Sequence, residues 1–276
     1  STDEDALGLY VQDTLNLASV FIVTPGVRYD HDQINFVDNN NPDNSGNKRF
    51  SRVTPRVGLT FLVTPQSSVY FNYGEGFRVP TFNELFALGQ FGSNANLKPV
   101  HSRNYELGIK SSLGTWGEAS MAIYRSDVTD EILNVCGDRF TCGNSTFASN
   151  QNIDRSRRQG VETTLKARYS QYFDMTVNYT YTQATIESPL TLNPFFFDSF
   201  GGTPYVQQVQ KGSSFPLVPK HRLGVTGNYH PDSGWTVSLT GLYLSTQFFI
   251  NDEQNIQPRL PGYFVLNARL AYERAV

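Results

Sequence analysis

The sequence predicts an all-β protein, a transmembrane, antiparallel, up-and-down β-barrel to which this chain contributes about eleven strands. Three observations support this fold class. Apolar and polar residues alternate with period two along most of the chain, and short and long connections between these segments follow each other strictly. Charged residues make up only 17% of the 276 residues, which include 20 Phe and 15 Tyr. Such a composition is typical of strands with one face in lipid.

The alternation is clearest in GVETTLKARYS (160–170), where Val161, Thr163 and Leu165 share one face and Glu162, Thr164 and Lys166 share the other. Successive side chains of a strand point to opposite faces, so this pattern predicts one apolar and one polar face. Each run has about the ten residues that a tilted strand needs to cross a bilayer. The same pattern predicts strands at 57–63, 68–74, 160–170, 173–182, 221–229 and 264–272.

The connections fall into two classes that interleave along the chain. Short ones are predicted around residues 15–19, 64–68, 112–117, 169–172 and 230–234. Long ones are predicted at residues 30–50, 75–101, 128–158, 184–220 and 246–262. This order is typical of a bacterial outer-membrane barrel, which has tight periplasmic turns and large external loops. Loops of this length are uncommon in a soluble sandwich.

An odd number of strands cannot close a bacterial barrel, and an open sheet in lipid would leave backbone groups unpaired. The last residues, LAYERAV, do not resemble a terminal strand with a closing aromatic residue. We therefore expect the chain to be part of a larger barrel whose remaining strands pair with both of its free edges.

The segment GFRVPTFNELF (76–86) predicts a short helix after a strand. Thr81 is an N-cap candidate, and Glu84 occupies the third helical position of a capping box. Phe82, Leu85 and Phe86 give the helix an apolar side that we expect to pack on neighbouring loops or on the barrel mouth.

Cys136 and Cys142 lie in the Gly- and Asn-rich stretch NVCGDRFTCGN. Five intervening residues suit a disulfide that closes a small loop in an oxidising compartment, and two unpaired thiols are the alternative. Neither cysteine has a nearby histidine or a second CxxC, so no metal site is predicted there.

Several function classes find no support. Positive charges are scattered and the net charge is −3, so nucleic acid is not an expected partner. The four histidines are far apart in sequence and no GxSxG occurs. No catalytic residues are therefore predicted, and the protein is not expected to be an enzyme.

Several motifs occur in an order that resembles the TonB-dependent receptors of bacterial outer membranes. They are SVYFNYGEGF followed by RVP and the short helix, NANLKP (94–99), NYELG with Glu106, SDVTDEIL (126–133), NID (152–154), SRRQGVE (156–162), PLVPKHR (216–222) and LPGYFVLNARLAY (260–272). The resemblance covers essentially the whole chain, and the conjunction of motifs is specific where any single one is weak.

The resemblance implies a barrel of roughly 22 strands closed by an N-terminal plug. Such receptors take up scarce nutrients, mostly ferric siderophores, haem or cobalamin, with energy passed through TonB to the plug. Residues 1–276 are then expected to form a partial barrel, without the plug, the early strands and the last strands. Expected partners are the plug, the remaining strands, the TonB complex, and outer-membrane lipid with lipopolysaccharide.

The motifs restrict the range of candidate ligands only slightly. Haem receptors of this family carry FRAP and NPNL boxes with a ligand histidine between them. The corresponding segments here are FRVP (77–80) and NANL (94–97), and no histidine lies between them. A ferric siderophore is the first expectation because it is prevalent in the family, and no resident cofactor is expected. A passive porin-like channel, a structural or adhesin-type barrel, and receptors for cobalamin, haem or carbohydrate remain alternatives. Calcium at the Asp- and Asn-rich stretch 30–43 also remains open.

Aromatic residues in two long connections are the main ligand-binding candidates, together with one arginine that would attract anionic chelates. They are Arg139, Phe195, Phe196, Phe197, Phe200, Tyr205, Phe248 and Phe249. The alternative is that these aromatic residues pack loop on loop or form the girdle at the membrane interface. A second set is expected to face the lumen or the plug, namely Arg78, Glu106, Glu162, Lys166, Arg168 and Arg222.

Overall fold

The computed structural model of the chain describes residues 2–37, 45–86, 94–136, 148–192, 206–231 and 234–273. Its strands in chain order are β1 (Thr2–Gln12), β2 (Leu15–Ala18), β3 (Phe21–Phe36), β4 (Gly46–Thr64), β5 (Ser67–Arg78), β6 (Val100–Ser112), β7 (Gly117–Cys136), β8 (Ala148–Ser170), β9 (Phe173–Ile186), β10 (Leu190–Leu192), β11 (Gln207–Val209), β12 (His221–Tyr229), β13 (Trp235–Leu244) and β14 (Tyr263–Tyr272). One α-helix, α1 (Phe82–Phe86), precedes β6, and a 3-10 helix, Gly114–Trp116, precedes β7. Within these ranges, neither helix has the length and apolarity required to cross a bilayer.

Almost all strands belong to one antiparallel sheet, ordered β1-β3-β4-β5-β6-β7-β8-β9-β12-β13-β14, with β2 also paired to β3. β1 pairs with β3 as far as Gln12, opposite Gly26, and β2 resumes the pairing at Leu15, opposite Val23. β1 and β2 are thus two parts of one line, and the sheet has eleven such lines. The predicted up-and-down antiparallel wall of about eleven strands is confirmed.

The connections also follow the predicted alternation, with two corrections. Residues 15–18 belong to β2, so the first short turn contains only Ser19 and Val20. The loops predicted at 30–50 and 128–158 were too long, because β3 and β4 pair up to Phe36 and Gly46 and β7 and β8 up to Cys136 and Ala148. The pairing continues beyond the apolar part of these strands, where polar side chains replace the hydrophobic pattern. We call the edge of the sheet that carries the long connections its long-segment end.

The sheet has two chemically different faces. On the apolar face, large side chains such as Leu107, Ile109 and Ile123 are about half exposed, at 46%, 51% and 50%. On the polar face, residues of opposite parity such as Glu106 and Lys110 alternate with them along β6. A continuous exposed apolar surface of this kind requires a hydrophobic environment.

Tyrosines on the polar face lie over glycines of the adjacent strand. The side chain of Tyr124 on β7 crosses Gly160 on β8, and its hydroxyl is 2.8 Å from Thr182 Oγ1 on β9. A Cβ atom at Gly160 would lie 1.8 Å from the carbonyl oxygen of Tyr181 and 3.0 Å from the hydroxyl of Tyr124. Glycine is therefore required where the tyrosine crosses the strand.

The predicted capping box of α1 is confirmed. The backbone N–H of Glu84 donates to Thr81 Oγ1 (3.3 Å), and the backbone N–H of Thr81 donates to Glu84 Oε2 (2.7 Å). Arg78 Nη1 also donates to the Glu84 carboxylate, at 3.0 and 3.2 Å. Burial opposes ionisation of this carboxyl, but the hydrogen bonds from Arg78 and Thr81 prevail and hold the pKa of Glu84 below its ordinary value.

The apolar side of α1 packs against the ends of the strands, as predicted. Leu85 and Phe86 are 1% and 8% exposed and form a cluster with Ile34, Phe36 and Leu97. The rings of Phe36 and Phe86 stack with their centroids 5.5 Å apart. The helix therefore covers the end of β3 that belongs to the long-segment end.

Candidate functional site

A second apolar cluster fixes the segment between β9 and β12 to the wall. It contains Ile153, Ile186, Leu192 and Phe215 together with further residues, and most of these are fully buried. The guanidinium of Arg158 lies 4.7 Å from the centre of the Phe215 ring, and Arg158 Nη2 pairs with Glu131 Oε1 at 2.6 Å. Both clusters bring long connections onto the ends of the strands, which gives the long-segment end a folded surface.

Asn152 joins three segments that the sequence keeps far apart. Its Oδ1 accepts a hydrogen bond from the backbone N–H of Lys98 (2.9 Å). Its Nδ2 donates to the carbonyl oxygens of Lys98 (3.0 Å) and Asp130 (2.7 Å). Asp130 has a positive φ of 54°, a conformation that isolates its carbonyl from the regular ladder. Asn152 therefore provides a hydrogen-bond donor for the carbonyl of Asp130, a residue without a partner in the register of β7 and β8.

A hollow at the long-segment end lies between β9, β12 and the segment before β14. Its volume is about 200 Å³. Its lining consists of Thr182, Ala184, Ser214, Val218, Lys220, His221, Ser245, Thr246, Gln247, Phe248 and Arg259. We call this hollow the Arg259 cleft. It is smaller than a pocket that encloses a drug-sized ligand, so it suits one arm of a larger molecule.

Backbone hydrogen bonds hold the walls of the Arg259 cleft together. The N–H of Thr182 donates to the carbonyl oxygen of Lys220 (2.9 Å), and the N–H of Leu217 donates to that of Phe248 (3.1 Å). Gln247 and Leu260 exchange both backbone bonds, at 3.2 and 2.8 Å. This bridge brings Gln247, the third residue after β13, next to Leu260, which follows Arg259, although eleven residues lie between Gln247 and Arg259.

A buried aspartate shapes the loop that presents Arg259. Asp252 is fully buried, and its two carboxylate oxygens accept the backbone N–H groups of Ile256 (3.0 Å) and Gln257 (3.1 Å). Asn255 has a positive φ of 61°, and its Nδ2 donates to the carbonyl oxygens of Ser214 (2.8 Å) and Asp252 (2.9 Å). Asn tolerates this left-handed conformation, so the loop folds back onto the segment before β12.

The electrostatics of the Arg259 cleft favour an anion. The guanidinium of Arg259 lies 4.7 Å from the centre of the Phe248 ring, and Lys220 is part of the same lining. The ring of His221 lies instead against Tyr179, with its Nδ1 atom 2.9 Å from the hydroxyl oxygen of that tyrosine. Among the residues that the structure describes, no carboxylate belongs to this lining. Two cations and a neutral aromatic face can bind a flat, negatively charged group by stacking and charge together.

The predicted ligand-binding residues are only partly placed. Phe248 lines the Arg259 cleft, whereas its neighbour Phe249 is 39% exposed and does not line it. The remaining candidates lie outside the described residues; they are Arg139, Phe195, Phe196, Phe197, Phe200 and Tyr205. Cys142 and the side chain of Cys136 lie outside them as well, so the disulfide stays a prediction.

The residues predicted to face the lumen or plug all lie on the polar face. Lys166 Nζ is 2.6 Å from Glu118 Oε1, and Arg168 stands opposite Asp174 in the register of β8 and β9. Glu162 and Arg222 both pair with Thr180, which places them in one row across three strands.

The remaining two have close polar partners. Asn72 Nδ2 donates to Glu106 Oε1 at 3.5 Å, and Arg78 is engaged by Glu84 next to α1. Among the described residues, no group of three or more potential metal ligands is found, and Asp30, one of the calcium candidates, pairs instead with Arg28 at 2.7 Å.

Sequence reasoning missed Lys220, Arg259, Asp252 and Asn152. Lys220 and Arg259 each lie close to prolines, in LVPKHR and QPRLPG. The prolines indicate a constrained backbone, but they do not indicate that either cation lies near Phe248. The signal for Asn152 was present as the NID motif, without an indication of which carbonyls its amide would contact.

Known proteins resemble this chain in sequence and in structure. The family model described as TonB dependent receptor-like, beta-barrel matches residues 1–275. An iron-regulated outer membrane virulence protein of Vibrio cholerae serotype O1 is 28% identical over 228 residues, which cover 77% of this chain and 29% of that protein. The catecholate siderophore receptor Fiu of Escherichia coli O6:H1 is 22% identical over 296 residues, covering 97% of this chain and 36% of the receptor.

The solved structure of the copper transporter OprC superimposes with a TM-score of 0.75 at 15% identity, covering 99% of this chain and 40% of that one. At this identity the likeness concerns the fold alone. The chain spans less than a third of the length of the Vibrio cholerae relative.

Proposed function

The chain belongs to the TonB-dependent receptor family as part of its β-barrel domain, and from this premise we propose that it serves the energy-coupled uptake of a ferric siderophore across the outer membrane. Receptors of this family work with a plug domain and with TonB in the bacterial outer membrane, and they are not enzymes. The sheet described above is accordingly a section of barrel wall, with its apolar face toward lipid.

The observation that carries the proposal is the Arg259 cleft. Family membership supports an external position for the long-segment end of the wall. There the cleft offers Arg259, Lys220 and the Phe248 ring, and its described part contains no carboxylate. Ferric siderophores present flat chelating groups and often a net negative charge, which match a cationic, aromatic surface. A volume of about 200 Å³ suits one such arm.

Two supporting proposals concern other residues. The polar-face set Arg78, Glu106, Glu162, Lys166, Arg168 and Arg222 is proposed to line the lumen and contact the plug. Cys136 and Cys142 are proposed to form a disulfide in the connection between β7 and β8. The names of two relatives, an iron-regulated protein and a catecholate siderophore receptor, support iron chelates as the ligand class.

The direct test measures binding of ferric chelates to the full-length protein that contains this chain. Arg259→Gln and Lys220→Gln should each weaken binding of an anionic ferric catecholate about tenfold, a loss of about 1.4 kcal/mol. Lys211→Gln is the matched control, because Lys211 is an exposed cation of a neighbouring segment that does not line the cleft. Equal affinity in all three variants would remove the Arg259 cleft from the binding site.

Growth experiments separate the transport alternatives. We expect uptake to stop when TonB is deleted, whereas a passive porin-like channel would continue to admit its solute. We also expect iron starvation to induce the protein. Expression indifferent to iron would remove most of the support for a siderophore and would direct attention to cobalamin, haem or carbohydrate.

A further inference from the structure

A row of arginines stands on the apolar face where that face ends toward the long segments. We call Arg103, Arg125 and Arg157 the guanidinium row. They lie on the adjacent strands β6, β7 and β8, and their parity matches that of Leu107 and Ile123 below them. In the register, Asp127 stands between Arg103 and Arg157. These cations therefore face the membrane side of the wall and not the polar face.

Carboxylates lie next to the guanidinium row. Asp127 pairs with Arg125 Nε (2.8 Å) and with Arg157 Nε (2.7 Å), Glu75 lies 3.9 Å from Arg103 Nε, and Glu187 lies 3.6 Å from Arg157 Nη1. The side chains of Arg103 and Arg125 are 64% and 48% exposed, whereas Arg157 is 28% exposed and the three carboxylates are 16% to 31% exposed. Three carboxylates thus accompany the three cations, and the groups most accessible from the surroundings are the guanidinium groups of Arg103 and Arg125.

The depth of the guanidinium row follows from the strand geometry. Tyr169, at the turn end of β8, is 78% exposed and marks one edge of the apolar face. Gln159, which pairs with Arg125, lies ten positions before it in β8. At about 3.3 Å per residue and a tilt of about 40°, this distance spans about 25 Å, the height of the apolar band of a membrane barrel. Arg103 and Arg157 stand about 5 Å further out.

We propose that the guanidinium row binds the phosphate groups of a phosphorylated lipid in the leaflet that adjoins the long-segment end. The row lies at the depth of lipid headgroups, and a lipid held there would lay its acyl chains along Leu107 and Ile123. Arginine forms bidentate, charge-assisted hydrogen bonds to phosphate and stays charged at every physiological pH. Pairing with Asp127 orients two guanidinium groups in advance, which lowers the entropy lost on binding.

Continuity with the lipid-facing surface distinguishes this partner from a soluble anion. Inorganic phosphate would gain only the charge interaction, in competition with Asp127 and Glu75. A lipid adds apolar contact along the same face, so its binding should resist competition by free phosphate. The inference depends on the membrane orientation of the wall and is independent of the siderophore.

The test is native mass spectrometry of the full-length protein in detergent with a bisphosphorylated lipid A and with the same lipid lacking phosphate. The double variant Arg103→Gln, Arg125→Gln should retain at least tenfold less of the phosphorylated lipid. Lys110→Gln, which removes a cation from the polar face of β6, should retain as much as the unmodified protein. Ten millimolar inorganic phosphate should not displace the bound lipid.

A second variant keeps the inference testable if the double variant folds poorly. Glu75→Gln removes a carboxylate next to Arg103 and should increase lipid retention. The proposal is overturned if retention does not depend on lipid phosphate, if free phosphate displaces the lipid, or if Glu75→Gln lowers retention. It is also overturned if the double variant retains lipid normally and instead loses self-association, since the row would then be a protein interface.

Discussion

Replacing Asn152 by alanine tests how the long-segment end is held together. The side chain makes three hydrogen bonds, two with Lys98 and one with Asp130, at 2.7 to 3.0 Å. A protein hydrogen bond contributes about 0.5–1.5 kcal/mol net, so the variant should lose about 1.5–4.5 kcal/mol of local stability. Because 1.4 kcal/mol corresponds to a factor of ten, the amide of Lys98 should exchange about 10- to 1,000-fold faster.

Hydrogen exchange read by mass spectrometry on peptides that cover residues 94–100 measures this effect. Asn152→Asp should exchange at least as fast as the alanine variant, because a carboxylate would face two carbonyl oxygens and lose both donors. Asn178→Ala is the matched control, since Asn178 Oδ1 accepts one exposed bond from Thr164 (3.0 Å) on the polar face. If residues 94–100 exchange equally in the alanine variants of Asn152 and Asn178, the three bonds do not hold the segment.

Two further predictions concern α1. Because the pKa of Glu84 is held below its ordinary value, the stabilisation that Glu84 gives α1 is complete above the ordinary carboxyl range and is lost as the pH falls through the lowered pKa. Amide exchange of α1, corrected for intrinsic rates, should therefore rise at acid pH, and Glu84→Gln should remove this dependence; an unchanged profile in the variant would contradict it. Leu85→Ala should cost about 2–5 kcal/mol of local stability because Leu85 is 1% exposed. Limited proteolysis should cleave near α1 faster in this variant than in Leu107→Ala, whose site is on the exposed apolar face, and equal cleavage would argue against a packed helix.

Much of the wall could be predicted from sequence because its physics is local. Period-two alternation reports the two faces directly, as in residues 160–170, and turn residues mark the ends of the strands. The capping box of α1 was equally local, since Thr81 and Glu84 are three residues apart. The strand extensions to Phe36 and Cys136 were missed because pairing there continues after the apolar pattern has ended.

The candidate site was harder to predict because its contacts join distant segments. Phe248 was identified by its type, but its partner Arg259 is brought over it only by the fold of the intervening loop around Asp252. Asn152 contacts Lys98 across 54 positions. No periodicity encodes such a pairing, so only the three-dimensional structure identifies the partners.

The tyrosine that crosses Gly160 has a consequence for the relief of the polar face. A large side chain on one face of a sheet normally projects away from that face. Tyr124 instead lies flat, since Gly160 leaves a shallow channel in which the ring crosses toward Thr182. The wall gains a brace over three strands while the ring adds little height to the polar face at this position.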